Sequence, residues 1–567
     1  MTKTLVALEP RIELNTNATL HQINRLRNYI ERCWIRDIPD AEIIQEVSTK
    51  NPQYAHEQCL KLCQNWYRYG ELPRLLQYLQ VNMGTVLEGY IWFLLYPLLQ
   101  QIDAVEDVVS KADIVYAESD FTPLGKAVES VANAKGIEYQ FFEPLWYREI
   151  KNQTKAYWHS RMRKETLIPS SLFNVSDGKS GRKILFDAPH YTNYFNALYP
   201  VVKQMTSQNN CYVYGEQLHV CNKFKNSVRI PINSYINYFT DEIIDYYAKL
   251  ERDNEFHRLF TYKNIPIWDA VQQDMSYILN KTLIDIVADL SYFQSVLKYC
   301  NPDVLVVAFD ESPSMRGHVL LAKQLGIPTL EVQHGLLSTM SLYANPISDM
   351  FASGGESGKA VYVSAGVPGK NVIITGFPKN DIYSSLDRNK PTNTILFATN
   401  PTSAKMNLSI IEMIGDWIKD SELKLVVKPH PYESHKIYQP LVRKYKNVVL
   451  RASSDDIAPL IEQSDIVVME NSTVGIEALI MNKLLVCLSI NRSDIPVYVS
   501  SDVALDVKTY EDIIPTIKEG LYDSTTKERL GLARKQFVYQ YAYLQDGEAS
   551  ERVADLILKM ADKKDSR

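Results

Sequence analysis

The chain of 567 residues lacks the signatures of several large enzyme classes. No GxGxxG follows the apolar runs at 183–187 or 303–309, so a dinucleotide-binding fingerprint is missing. No GxxxxGK(S/T) occurs, which removes P-loop chemistry, and no GxSxG elbow points to a hydrolase. No HExxH and no Cys/His cluster suggests a catalytic metal. Cysteine is sparse: positions 33, 59, 63, 211, 221, 300 and 487 are scattered, odd in number and without a CxxC pair. Cys59 and Cys63 stand at helical spacing with no His partners, so they read as small buried hydrophobes in a reducing compartment. Positive charge is also in deficit: 61 basic against 67 acidic residues give a net charge of -6, which argues against general nucleic-acid affinity. The most apolar window, 90–99, is about half the length that a bilayer span needs and reads as a core helix. Residues 1–6 lack the long apolar core of a signal peptide, so a soluble, cytoplasmic protein is expected.

What is present is globular: 46% hydrophobic and 23% charged, with no repeat or low-complexity tract. The length exceeds one ordinary core, so two large domains are expected. Residues 1–110 are helical in pattern, apart from a first strand near 5–8, with an amphipathic helix over 19–33. They read as a region packed on the first domain. From 112 onward short apolar runs alternate with helical stretches, the pattern of a parallel, doubly wound sheet. Residues 111–380 form the expected first domain, with a helical insertion at 237–300. A polar stretch at 382–393 is the linker, 394–545 the second domain, and 546–567 a helix able to pack back on the first.

The most legible stretch is Leu425-Val426-Val427-Lys428-Pro429-His430-Pro431, a short buried strand ending in a cationic turn held by two prolines. It delivers Lys428 and His430 to the carboxyl end of a sheet, where such folds bind ligands. A second strand, 465–469, ends in Glu470-Asn471-Ser472-Thr473 with a helix from Val474, placing hydroxyls and free N–H groups at a helix start. Together these read as a phosphate pocket, with Glu477 one turn along as a partner for ribose hydroxyls. In the first domain Asp310 and Glu311 follow an apolar strand and are expected at the cleft edge, where neighbouring negative charge suits one of them to general-base work. The alternative is helix capping, since Ser312-Pro313 starts a helix. His334, followed by Gly335, is a further base or substrate contact; His190 and Gln333 are acceptor-side candidates. Gly354-Gly355 is a tight turn and weak evidence for phosphate binding.

The segments 327–335, Thr375-Gly376-Phe377-Pro378-Lys379-Asn380-Asp381, Lys428-Pro429-His430-Pro431 and 472–478 resemble GT-B glycosyltransferases of bacterial surface-polysaccharide synthesis. These include capsule Kdo transferases, sialyl- and polysialyltransferases, and CDP-glycerol glycerophosphotransferases. The resemblance implies two Rossmann-like domains across a cleft and a nucleotide-activated donor as substrate, with no separate cofactor and no metal. It implies that His430-Pro431 and Ser472-Thr473 grip the nucleotide phosphate, with Asn471 and Gly376 in the same site and Asp310 or Glu311 as the catalytic carboxylate. The acidic pair departs from the sialyltransferase pattern in being followed by Ser312-Pro313 rather than Gly. A CMP-linked Kdo, sialic or other nonulosonic acid is the preferred donor, and a glycan, lipid-linked or protein acceptor the expected partner. Peripheral attachment at the inner face of a membrane, or to a biosynthetic complex, is compatible with this; no oligomeric state follows. A UDP-sugar 2-epimerase, a CDP-glycerol-type phosphotransferase and a non-catalytic nucleotide- or glycan-binding module are the alternatives.

Overall fold

The computed structural model describes residues 4–7, 42–44, 51–117, 122–141, 170–176, 181–188, 192–216, 227–228, 237–338, 340, 342–385, 392–400, 404–430, 433–470, 472–490 and 495–565. Three parallel or mostly parallel sheets carry the fold. The first is small: β1 (Thr4–Ala7), β2 (Glu42–Ile44), β3 (Ile114–Ala117) and β4 (Glu138–Phe141), in the order β2-β1-β3-β4. The strand at 114–117 therefore pairs with the start of the chain, and the strand at 138–141 pairs with that at 114–117, instead of joining the first large sheet as the alternating pattern had implied. Strand periodicity says that a run is buried, not which sheet buries it. The helix expected over 19–33 lies outside the described residues.

The second sheet comprises β5 (Ser170–Asn174), β6 (Lys183–Ala188), β7 (Asn210–Glu216), β8 (Ser227–Val228), β9 (Val304–Val307), β10 (Thr329–Val332), β11 (Met350–Ser353) and β12 (Val372–Ile374). Their order is β8-β5-β7-β6-β9-β10-β11-β12, with β5 and β8 antiparallel at one edge. β9 and β10 are buried at every position, as strands covered by helices on both faces must be. Strand order reverses between β6 and β9, so the ligand crevice of this half is expected outside their carboxyl ends.

The third sheet holds β13 (Thr394–Ala398), β14 (Lys424–Lys428), β15 (Val448–Leu450), β16 (Ile466–Met469), β17 (Leu484–Leu488) and β18 (Leu505–Val507), in the order β15-β14-β13-β16-β17-β18. All its pairs are parallel. Numbered from β13 this is 3-2-1-4-5-6, the dinucleotide-fold order, with its switch point between β13 and β16. Two doubly wound, Rossmann-like domains in a GT-B-like arrangement are thus present.

Six helices matter to the site: α1 (Met83–Val109), α2 (Thr192–Met205), α3 (Pro313–Gln324), α4 (Val474–Ile480), α5 (Ser524–Ala542) and α6 (Ala549–Asp565). α6 returns from the third sheet to the second. Its Val553, Ile557, Met560 and Ala561 share one core with Phe186, Leu198, Val201, Val304 and Val306. The turn after β12 receives it: the Asp381 carboxylate accepts from the backbone N–H groups of Ala549 and Ser550 at 2.9 and 2.8 Å, and Arg552 Nε donates to Thr375 O at 2.8 Å. α1 is anchored as firmly. The buried Arg316 of α3 donates to Glu88 Oε2 and Thr85 O at 2.8 Å each, and to Asn345 O at 2.7 Å. Among the described residues no helix is long and apolar enough to cross a membrane.

Candidate functional site

β9 runs into Ala308-Phe309-Asp310-Glu311, and the two carboxylates do not reach a cleft edge. Asp310 is 0% and Glu311 2% exposed. Asp310 Oδ2 accepts from Ile347 N, Ser348 N and Ser348 Oγ at 2.7–2.9 Å, and Glu311 Oε2 accepts from Tyr343 N at 3.1 Å. The loop over 342–348 offers N–H groups that need acceptors, and the carboxylates turn inward to supply them. Burial, and then the Asp310 charge, push the Glu311 carboxyl well above its ordinary range. Burial, and then the Asp310 charge, raise the Glu331 carboxyl of β10 in the same way. The expectation that Asp310 or Glu311 meets substrate is therefore corrected: both hold the loop.

The group that does stand at this edge is His334, partly buried after β10. Its Nδ1 lies 3.0 Å from Ala308 O. A carbonyl only accepts, so Nδ1 carries the proton and Nε2 keeps its lone pair. Burial foremost, with the nearby Lys379 charge adding to it, lowers the His334 pKa to about 4 against the Ala308 contact. The imidazole is thus neutral at ordinary pH. Tyr194 and Phe309 meet it edge-on, with ring centroids at 4.5 and 5.7 Å. Gln333 beside it is not an acceptor contact. Its amide donates to Gly335 O at 2.6 Å and accepts from Gly354 N and Ser353 Oγ at 2.8 and 3.0 Å. This buried side chain ties two loops together. His190 lies outside the described residues.

Deeper in the same half, His318 of α3 is sandwiched between carboxylates. Its Nδ1 is 2.6 Å from Asp187 Oδ2 at the end of β6, and Nε2 is 3.2 Å from Asp289 Oδ2 but outside hydrogen-bond alignment. Burial opposes the charge, yet the two aspartates prevail and raise the pKa to about 9. The imidazolium locks α3 to the end of β6.

On the facing domain, β14 ends in Lys428-Pro429-His430. Lys428 is buried, and its ammonium donates to Pro429 O and Ser453 O at 2.9 Å each. Burial lowers its pKa. Its assignment to a ligand phosphate is corrected: it closes the turn. His430 remains partly accessible, its backbone N–H held by Glu433 Oε2 at 2.9 Å and Thr399 Oγ1 at 3.1 Å. Burial lowers its pKa. Glu433 is itself buried and also accepts from Thr399 Oγ1 and Tyr438 Oη, so one carboxylate shapes the turn from below. At the switch point Asn400 after β13 bonds Glu470 after β16. Those contacts place His430, Thr399, Asn400, Glu470 and the Ser472-Thr473 loop along one sheet edge. Pro431 and Asn471 lie outside the described residues. Ser472 Oγ accepts from Val474 N at 3.3 Å, and Thr473 is exposed. α4 has only seven residues, so its dipole is a weaker anion site than the sequence suggested.

The two edges meet. A Cβ built on Gly335 would stand 3.9 Å from Thr473 Cγ2. Lys379, in the turn after β12, pairs with Glu477 of α4 at 2.9 Å. Glu477 is therefore paired with a cation from the other half. Gly376, at φ +81, lies against the crossing chain, where a Cβ would meet Ala549 Cβ at 3.3 Å and Ala542 O at 3.5 Å. Gly354 and Gly355 are likewise packing glycines, pressed against the Phe377 ring and Gln540 O. Sequence reasoning missed Lys379, Asp381, Thr399 and Glu433. The first two stood in a recognised motif, but no spacing rule pairs them with 477 or 549. Among the described residues, no group of three or more His, Cys, Asp or Glu side chains could hold a metal ion.

Residues 348–559, less than half of the chain, match the family model of CDP-glycerol:poly(glycerophosphate) glycerophosphotransferases. No curated protein matches the chain. Among solved structures it is similar to S. aureus MnaA with UDP (16% identity, 67% of this chain and 97% of that one, TM-score 0.46). It is also similar to UDP-GlcNAc 2-epimerase from Neisseria meningitidis bound to UDP-GlcNAc (15%, 66% and 99%, TM-score 0.42). A variant of the wall teichoic acid polymerase TagF is a third (13%, 49% and 86%, TM-score 0.33).

Proposed function

We propose that this protein is a transferase of surface-polymer synthesis that moves a glycerophosphate-type group from a CDP-activated donor to an acceptor hydroxyl. One observation carries the chemistry: His334 Nδ1 is committed to Ala308 O, so Nε2 is an unprotonated base at the edge facing the second domain. The donor class is supported by the family match, which spans the second domain together with the Lys379 turn and the first part of α6. This replaces a CMP-linked sugar as the favoured donor. The acceptor hydroxyl oxygen forms a bond to the phosphorus bearing the glycerol unit, the bond from that phosphorus to CMP breaks, and the hydroxyl proton passes to His334 Nε2. In this reading His430 and the Ser472-Thr473 hydroxyls donate to the departing phosphate, with the His430 turn fixed beforehand by Glu433 and so able to act without rearrangement. Lys379 keeps the two edges in register through Glu477.

Thermal stabilisation tests the assignment, because a ligand bound only by the folded state raises Tm by mass action. CDP-glycerol at a hundredfold excess over its Kd should add about 2.7 kcal/mol. Stabilisation by CMP-linked nonulosonic acids instead would restore the glycosyl-transfer reading. UDP-GlcNAc turnover without an acceptor would favour an epimerase, and no response to any nucleotide would overturn the proposal.

A further inference from the structure

The Ser472-Thr473 loop is held from behind by a side chain that comes from neither β16 nor α4. Tyr498, in the short helix Val497–Ser500 that follows β17, is 1% exposed, and its hydroxyl lies 2.9 Å from Ser472 O. A carbonyl only accepts, so the phenol donates. Burial foremost raises the Tyr498 pKa, and the hydroxyl keeps its hydrogen at ordinary pH. Ser472 O accepts a second time, from Gly475 N at 3.1 Å, while Ser472 Oγ takes Val474 N at 3.3 Å. These contacts draw the Ser472 carbonyl into the domain. In a trans peptide the carbonyl and the next N–H point opposite ways, so the 472–473 peptide turns its N–H away from the core. Thr473 itself is exposed, with Gly335 of the first-domain edge opposite it.

The ring is as closely fitted as the hydroxyl. A Cβ on Gly475 would stand 2.7 Å from Tyr498 Cζ, so the phenol fills the space that this glycine leaves open. Phe537 of α5 packs on it with centroids 5.7 Å apart, and Phe537 in turn stacks on Tyr541 at 4.1 Å. Tyr498 shares an apolar core with Met469, Ile476, Cys487 and Phe537, where a phenylalanine would serve burial equally well. A hydroxyl taken into such surroundings is costly unless it is bonded, and the bond it makes is to the loop. We propose that Tyr498 is a positioning residue for donor binding: through Ser472 O it sets the Ser472-Thr473 loop in the shape that receives the phosphate attached to the nucleoside. The proposal rests on the transferase reading for the identity of that ligand, and it separates the phosphate from the nucleoside as the part of the donor that Tyr498 serves.

The experiment uses the full chain and titrates cytidine, CMP and CDP-glycerol into the unaltered protein and into Tyr498→Phe, with binding followed by NMR. Tyr498→Phe keeps the ring and removes only the donor. It should weaken CMP and CDP-glycerol about three- to tenfold while leaving cytidine where it was. Tm should fall by about 2 °C or less, because the packing is intact. Replacing Tyr498 by 4-aminophenylalanine restores an N–H donor at the same place and should recover most of the lost CMP affinity. Unchanged CMP affinity in Tyr498→Phe would overturn the inference and leave the transferase reading standing. So would an equal loss for cytidine, or no recovery with the amino ring, either of which would make Tyr498 a packing residue only. Failure of the unaltered protein to bind any of the three compounds would overturn the functional reading, and this inference with it.

Discussion

The two sheet edges solve the same problem in opposite ways. At the second-domain edge a buried carboxylate, Glu433, sits under an accessible histidine turn and shapes it directly through the His430 N–H. At the first-domain edge the carboxylates Asp310 and Glu311 are just as buried, but they hold a neighbouring loop and the base stands apart from them on the next strand. In both, buried carboxyl groups are scaffold, and an imidazole whose pKa burial lowers is left at the sheet edge. Acidic side chains at strand ends can therefore fix geometry while proton transfer falls to a residue whose charge has been suppressed by burial.

The sharpest way to break that contrast is at the base. His334→Gln should lower kcat/KM by roughly a hundred- to ten-thousand-fold. CDP-glycerol binding, followed by calorimetry, should survive. In the unaltered protein the base works when neutral, so kcat/KM should rise as pH passes upward through about 4 and then level off with respect to this group. Asp310→Asn is the next test, and its effect should fall on stability. Weakening three charge-assisted hydrogen bonds should cost about 1.5–3 kcal/mol in denaturant unfolding, while turnover per folded molecule stays within a few-fold. An intact fold with transfer abolished would make the carboxylate the base after all. The last test is Lys379→Met. It leaves the buried Glu477 without its cation and should cost about 1–3 kcal/mol. The Lys379 charge lowers the His334 pKa, so its removal should move the acid limb of the pH profile upward. An unchanged limb would show that burial alone neutralises His334.

Much of this was legible in the sequence. Three apolar residues before Lys428 predicted β14, and the apolar run at 303–309 predicted β9, because parallel strands covered on both faces must be continuous apolar runs. The turns that follow were correctly located. What each side chain does there was not, since Lys428 and Gln333 differ from ligand contacts only in what lies within 3 Å of them. Sheet membership was illegible for the same reason: nothing in the run at 114–117 records that its partner is residues 4–7. The Tyr194, Phe309 and Tyr343 rings are far apart in sequence, and only the fold makes them neighbours of one histidine.

The passage of α6 across to the second sheet bears on how the chain can be made. Phe186, Val304 and Val306 wait for Val553 and Ile557, so the first domain stays open until α6 has been synthesised. Neither half should be obtainable as an independent fragment with a closed core, and a circular relinking that severs 381 from 549 would remove the cap on which that last docking step depends.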